Sequence, residues 1–283
     1  MRKLISRLAL RALLAAVFSV PPAIAFAQQE STRLDVPFVP TPMPVVDAML
    51  ELGEVGAEDI LYDLGSGDGR IVVQAAKRFG TQGTGVDLDP ERISEARARA
   101  AAADVEDRAR FMQADLFEFD FSDATVVTMY LLPSVNLKLR PRILDELQPG
   151  TRIVSNSFDM GDWEPDKTRQ VGMNTVYLWV VPAKVAGDWA WTVENGESNH
   201  EYRVSLQQEY QQVGGRAFID GEPARLEEAY LEGDALRLAI ASPDGSEPVR
   251  FEGRLEDGRL VGVVRSEEQE VAWRAEPVSS DQG

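Results

Sequence analysis

Asp63, Gly65, Gly67 and Gly69 lie at alternate positions between the apolar run Ile60-Leu61-Tyr62-Asp63-Leu64 and a helix-forming stretch from Ile71 to Phe79. A strand, a glycine loop and a helix start in that order make a nucleotide-binding layout. Glycine lets the backbone turn tightly and approach a ligand, and the helix start offers N–H donors with partial positive charge. A dinucleotide fingerprint would need its third glycine at position 70, which is Arg70. A Walker loop would need Gly-Lys-Ser/Thr, and none follows. The spacing suits S-adenosylmethionine, with its methionine carboxylate at the helix start and its ammonium toward Asp63 and the loop carbonyls. Asp87, 18 residues beyond Gly69, stands at the distance from which an acid reads ribose hydroxyls. Asp115 is placed to accept from an adenine amino group, or else to cap a turn.

These residues need strand ends to carry them. A helix is expected from near Pro44, with Val45, Val46, Met49, Leu50 and Leu52 as its apolar face. Strands are expected over Ile60–Leu64, Gly83–Leu88, Phe111–Ala114, Thr125–Leu132, Arg152–Ser157 and Thr175–Val181. Further helices are expected over Pro90–Ala103 and Ser134–Leu147. The alternation predicts an α/β, Rossmann-like fold: a parallel sheet with helices on both faces. Asp159, Asp162, Glu164 and Asp166 lack the spacing of an oxygen-ligand loop and read as a solvated turn, so no metal site is predicted.

From about Lys184 helical periodicity stops. Short alternating runs, such as Leu236, Leu238 and Ile240, are separated by Asn195-Gly196, Gly214-Gly215, Asp220-Gly221, Asp244-Gly245 and Asp257-Gly258. These are hairpin signals, and they predict an antiparallel β meander or small barrel. Trp189 and Trp191 share one face of a strand and are expected in its core.

The first residues read differently. Arg2, Lys3, Arg7 and Arg11 precede the apolar run Leu13–Val20 and then Ala25-Phe26-Ala27. This is the pattern of a signal peptide cleaved after Ala27, although an uncleaved membrane anchor would leave the bulk on the same side. The expected organisation is a signal peptide over 1–27, a cofactor-binding domain over 28–183 and a β domain over 184–283. The protein is expected to be exported, with the periplasm as its compartment and no stable membrane insertion after cleavage. Removing residues 1–27 takes away four positive charges and no negative one, moving the net charge from −18 to −22.

That acidity disfavours nucleic acid, whose affinity rests on Lys and Arg, and favours basic partners. The chain has no cysteine, which excludes disulfides and thiolate chemistry. Its single histidine, His200, lies in the β region, so no histidine base serves the cofactor half.

Residues 36 to 165 resemble the seven-strand protein-lysine methyltransferases of the archaeal broad-specificity type and their mitochondrial relatives. The resemblance rests on Val36-Pro37-Phe38-Val39-Pro40-Thr41, on Asp63-Leu64-Gly65-Ser66-Gly67-Asp68-Gly69-Arg70 and on Tyr130-Leu131-Leu132-Pro133-Ser134-Val135-Asn136. It implies that Phe38, Val39, Pro40 and Thr41 line the cofactor cleft. Asp63, Gly65, Ser66, Gly67, Asp68, Gly69, Asp87, Leu88, Asp115 and Leu116 complete the expected cofactor set. Tyr130, Leu132, Pro133 and Ser134 would face the methyl group, with Tyr130, Pro133 and Ser134 as the expected catalytic residues. The Asn/Asp-Pro-Pro-aromatic motif of nucleic-acid amino methyltransferases is absent at this place. The leader and the β region depart from the family pattern. Three functions follow as expectations: a protein-lysine methyltransferase acting on basic polypeptide, a small-molecule methyltransferase with the β region as lid, or an exported binding protein without turnover.

Overall fold

The computed structural model describes residues 38–195, 198–242, 245, 247–265 and 270–278. The expected leader and the first residues of the Val36–Thr41 stretch lie outside them.

Pro42 caps α1 (Met43–Leu52), whose Val45, Val46, Met49 and Leu50 are buried. β1 (Ile60–Leu64) leads through the glycine loop to α2 (Arg70–Phe79), which starts after a left-handed Gly69 and ends at a left-handed Gly80. β2 (Gln82–Asp87) precedes α3 (Pro90–Ala102), where the Asp89 side chain accepts from the Glu91 N–H. β3 (Ala109–Gln113) and β4 (Val126–Met129) follow, then α4 (Pro133–Glu146), β5 (Arg152–Asn156), β6 (Lys167–Val171) and β7 (Asn174–Val180). The seven strands form one sheet in the order β3-β2-β1-β4-β5-β7-β6.

Three expectations need correction. The sheet is mixed, because β7 runs antiparallel to β5 and β6 antiparallel to β7. β6 has no counterpart among the expected strands: Lys167, Thr168, Arg169 and Gln170 are exposed at the sheet edge, so no apolar alternation marks them. β4 stops at Met129 because Leu132 and Pro133 start a helix, proline being suited to a first turn. The two faces are also covered differently. α1, α2 and α3 pack on one, whereas the other holds α4 and the irregular segment with Phe117, Phe119 and Phe121.

The β region is a closed barrel of eight antiparallel strands. They are β8 (Gly187–Asn195), β9 (Ser198–Glu209), β10 (Gln212–Ile219), β11 (Glu222–Glu232), β12 (Ala235–Ala241), β13 (Val249–Glu256), β14 (Arg259–Arg265) and β15 (Glu270–Pro277). β15 closes onto β8 through Glu276 with Ala190 and Pro277 with Trp189. Trp189 and Trp191 are buried in the barrel core, where Trp191 packs against Tyr202, Phe251 and Trp273. Asp220-Gly221 and Asp257-Gly258 are tight turns with both residues at positive φ. Gly214-Gly215 is not a turn but lies inside β10. A Cβ on Gly215 would stand 2.0 Å from the Ser205 carbonyl oxygen of β9, so glycine there serves close backbone approach. Gly196 and Asp244 of the other two signals lie outside the described residues.

Candidate cofactor and acceptor site

The carboxyl ends of β1, β2 and β4 open into a cleft bordered by Asp63, Asp87 and Tyr130. Its floor is the glycine loop. Gly65, Gly67 and Gly69 all have positive φ, where an L side chain is strained. Close packing adds to that demand: a Cβ on Gly67 would stand 2.3 Å from Phe38, and one on Gly69 2.6 Å from Phe111.

Asp87 fixes the loop from the neighbouring strand end. Its Oδ2 accepts from the Gly67 N–H at 2.8 Å and its Oδ1 from the Asp89 N–H at 2.9 Å. A carboxylate has about four acceptor positions, so two remain for ribose hydroxyls. Asp115 caps a turn and borders the cleft. Its Oδ1 accepts from the Phe117 N–H at 2.8 Å.

Asp63 is buried, and its Oδ1 accepts from the Thr128 hydroxyl at 2.8 Å. Burial pushes its carboxyl up to about 7 against the opposing Thr128 bond, and the charges of Asp87 and Asp68 add to the rise. Ser66 Oγ, also buried, has no hydrogen-bond partner. A buried acid that lacks a cation and a buried hydroxyl that lacks a partner fit the ammonium and carboxylate of a methionine group. The residues present therefore fit S-adenosylmethionine: Asp63, Ser66 and the α2 start would hold its amino-acid end, Asp87 its ribose and Asp115 its adenine.

Asp68 borders the cleft but its charge is engaged elsewhere. Arg70 and Arg99 each place Nη2 2.6 Å from Asp68 Oδ2, and Arg70 Nη1 donates to the Thr41 carbonyl at 2.7 Å. Burial works to raise the Asp68 carboxyl, but the two guanidinium groups outweigh it and hold the carboxyl low. Arg70 thus clasps the segment Phe38–Thr41 to the loop, and Arg92 lies 4.8 Å from the centre of the Phe38 ring.

Of the expected cofactor set, Phe38, Pro40, Thr41, Asp63, Gly65, Ser66, Gly67, Asp68, Asp87, Leu88, Asp115 and Leu116 border the cleft, as does Val39. Gly69 does not; it caps α2 from behind the loop. Tyr130 borders the cleft, whereas Leu132, Pro133 and Ser134 do not. Pro133 and Ser134 lie in the first turn of α4, because the helix starts there and turns Val135 inward instead. Arg70, Ile71, Asp89, Arg92, Phe117, Leu131 and Val135 are cleft residues beyond the expected set. Leu131 and Val135 stand inside the stretch Tyr130–Asn136, which could have marked them; Arg92 carries no local signal.

The acidic group after β5 is engaged within the protein. Asp162 pairs with Arg140, Asp159 accepts from the Gly161 N–H at 3.1 Å, and Asp166 accepts from the Val180 N–H at 2.7 Å.

Residues 63–167 match the ANTKMT methyltransferase domain family. The protein-lysine N-methyltransferase of Saccharolobus islandicus (strain REY15A) is 48% identical over 151 residues, which are 52% of this chain and 94% of that protein. The adenine nucleotide translocase lysine N-methyltransferase of Mus musculus is 32% identical over 155 residues, 55% of this chain and 66% of that protein. Among solved structures, an RNA methyltransferase from Salinibacter ruber in complex with S-adenosyl-L-homocysteine is 56% identical, with a TM-score of 0.51 over 52% of this chain and 96% of that one. Since nearly the full length of the Saccharolobus enzyme is matched at such identity, the chain belongs to its family, the class I S-adenosylmethionine-dependent methyltransferases of the protein-lysine type.

Proposed function

We propose that the protein methylates lysine side chains of a basic polypeptide outside the cytosol. The observation that carries this reading is the 48% identity to a protein-lysine N-methyltransferase over nearly that protein's whole length, beside a cleft bordered by Tyr130, Leu131 and Val135. The surface charge agrees with it, since a chain at −18 attracts basic partners and repels phosphate backbones.

When bound, S-adenosylmethionine supplies a methyl group on a sulfonium, open to in-line attack by a free amine. The protein's part is alignment and exclusion of water. Asp63 and Ser66 would hold one end of the cofactor and Asp87 its ribose, with Tyr130 bordering the same cleft. A lysine amine, with a reference pKa of about 10.4, must first lose a proton to solvent. The apolar surfaces of Leu131 and Val135 favour its neutral form by desolvation. Transfer would place the methyl carbon on the amine nitrogen as the carbon–sulfur bond breaks, which would leave a neutral thioether and a methylated ammonium.

A second reading is favoured by one finding: the Salinibacter protein of known structure is described as an RNA methyltransferase. One experiment separates the two and also tests export. The protein is recovered from outside the cytosol and its N-terminus sequenced, with Gln28 expected first. It is then incubated with labelled cofactor and, separately, a lysine-rich polypeptide, an arginine-rich counterpart, RNA and DNA. Label is expected on the lysine polypeptide, at a rate that falls as salt is raised. Label on RNA would replace the lysine reading with the second one, and a cytosolic protein retaining Met1 would overturn export.

A further inference from the structure

The loop after β5, residues 157–166, is held from two sides. From α4, Asn136 Nδ2 donates to the carbonyls of Phe158 at 3.2 Å and Asp159 at 3.1 Å, and Arg140 donates to the Met160 carbonyl at 2.7 Å. From the barrel side, the grip comes from the two-residue turn between β9 and β10. The Tyr210 ring stacks on Trp163 with centroids 5.8 Å apart and planes 19° from parallel, and its hydroxyl donates to Asp162 Oδ2 at 3.2 Å. Gln211 Oε1 accepts from Trp163 Nε1 at 2.9 Å, and Gln211 Nε2 donates to the Glu164 carbonyl at 2.7 Å. Trp163 is fully buried by these contacts and by the sheet, where its carbonyl accepts from Trp179 Nε1 of β7 at 2.8 Å.

The turn is not chosen for its own comfort. Tyr210 sits at φ 52, a left-handed conformation that a bulky side chain rarely adopts. The turns at Asp220-Gly221 and Asp257-Gly258 place aspartate, a residue tolerant of that region, at the same position. An aromatic residue held there against its backbone preference points to a contact that needs the ring, and that contact is Trp163.

The far end of the gripped loop reaches the cleft. Phe158 stacks on Tyr130 with centroids 6.1 Å apart, and Tyr130 borders the cleft on its acceptor side. We propose that the barrel turn Tyr210-Gln211 is a positioning element for methyl transfer: by fixing Trp163 it fixes the loop 157–166, and through Phe158 it sets where Tyr130 stands against the acceptor. The proposal rests on the lysine-acceptor reading for its kinetic consequence, but its structural half stands apart from it. It gives the barrel a role in the reaction although none of its described residues borders the cleft.

The test uses the full chain and two variants. Tyr210→Asn keeps a residue suited to the left-handed turn and removes the ring, while Tyr210→Phe keeps the ring and removes the hydroxyl. Three quantities are compared: cofactor affinity by calorimetry, amide hydrogen exchange of residues 157–166, and kcat and KM for the lysine-rich polypeptide. Tyr210→Asn is expected to speed exchange in the loop and to lower kcat/KM for the acceptor by roughly five-fold or more, with cofactor affinity changed by less than about two-fold. Tyr210→Phe should stay close to the parent protein in all three. Unchanged exchange in Tyr210→Asn would overturn the proposal, as would a loss of cofactor affinity matching the loss of turnover. A parent protein inactive on the polypeptide would defeat the lysine reading alone, and the exchange comparison would still decide whether the turn holds the loop.

Discussion

Two loops at the same edge of one sheet are held in different ways. The loop after β1 is fixed by groups of its own half of the chain: Asp87 on the Gly67 N–H, 20 positions away, and Arg99 on Asp68, 31 positions away. The loop after β5 is held by Asn136 and Arg140 of α4 and, in addition, by Tyr210 and Gln211 of the barrel, 47 or 48 positions distant. The cofactor side is thus complete once the sheet is, whereas the acceptor side depends on a second body. Such an arrangement lets acceptor geometry vary with the barrel while cofactor geometry stays as it is.

The sharpest way to break the comparison is at Asp87. Asp87→Ala should weaken cofactor binding by about 1.5–3 kcal/mol, the range for hydrogen bonds to a charged group, with the melting transition retained. Calorimetric titration checks it, and an unchanged affinity in the folded variant would place ribose recognition elsewhere. It should leave hydrogen exchange in residues 157–166 untouched, which is the contrast between the two loops stated as a measurement.

A smaller effect comes from Asp63. With its carboxyl raised to about 7 by burial, the free protein holds a proton there at pH 6, while the bound cofactor's ammonium stabilises the carboxylate. The bound state then holds fewer protons, so affinity rises with pH up to about 7, by at most about 1.4 kcal/mol per pH unit. Titration at pH 6 in buffers of different ionisation enthalpy should reveal release of up to about one proton, and Asp63→Asn should abolish it. Equal heats in all buffers would mean that Asp63 is already ionised.

The smallest effect is expected at the exposed pair Lys184–Asp145, 2.7 Å apart where the chain passes from sheet to barrel, with side chains 71% and 70% exposed. Lys184→Ala should shift stability by less than about 0.5 kcal/mol, as read from denaturant unfolding. A larger loss would show that the union of the two parts rests on surface charge rather than on the buried contacts at Trp163.

The cofactor side is legible in the sequence because its determinants are local. Gly65, Gly67 and Gly69 announce positive φ, and Asp87 and Asp115 lie at the ends of strands that the sequence marks over Gly83–Leu88 and Phe111–Ala114. The part played by Asp68 is not legible, since Arg70 and the more distant Arg99 take up its charge. β6 escapes because an edge strand is held by backbone pairing and its exposed side chains carry no alternation. The barrel turns at Asp220 and Asp257 are readable from Asp-Gly pairs, but Tyr210-Gln211 has no turn-forming residue. Its conformation is offset by a tertiary contact that no local pattern contains.

Closure of the barrel sets an order of assembly. β15 pairs with β8, so the barrel has no complete ring until the last described strand is in place. The seven strands of the sheet are all present by Val180, well before that point. The nucleotide pocket can therefore form while β8 is still an open edge, and the grip on Trp163 arrives afterwards with ring closure. A chain cut short before Glu270 would carry two raw edges, β8 and β14, each a template for pairing with another chain.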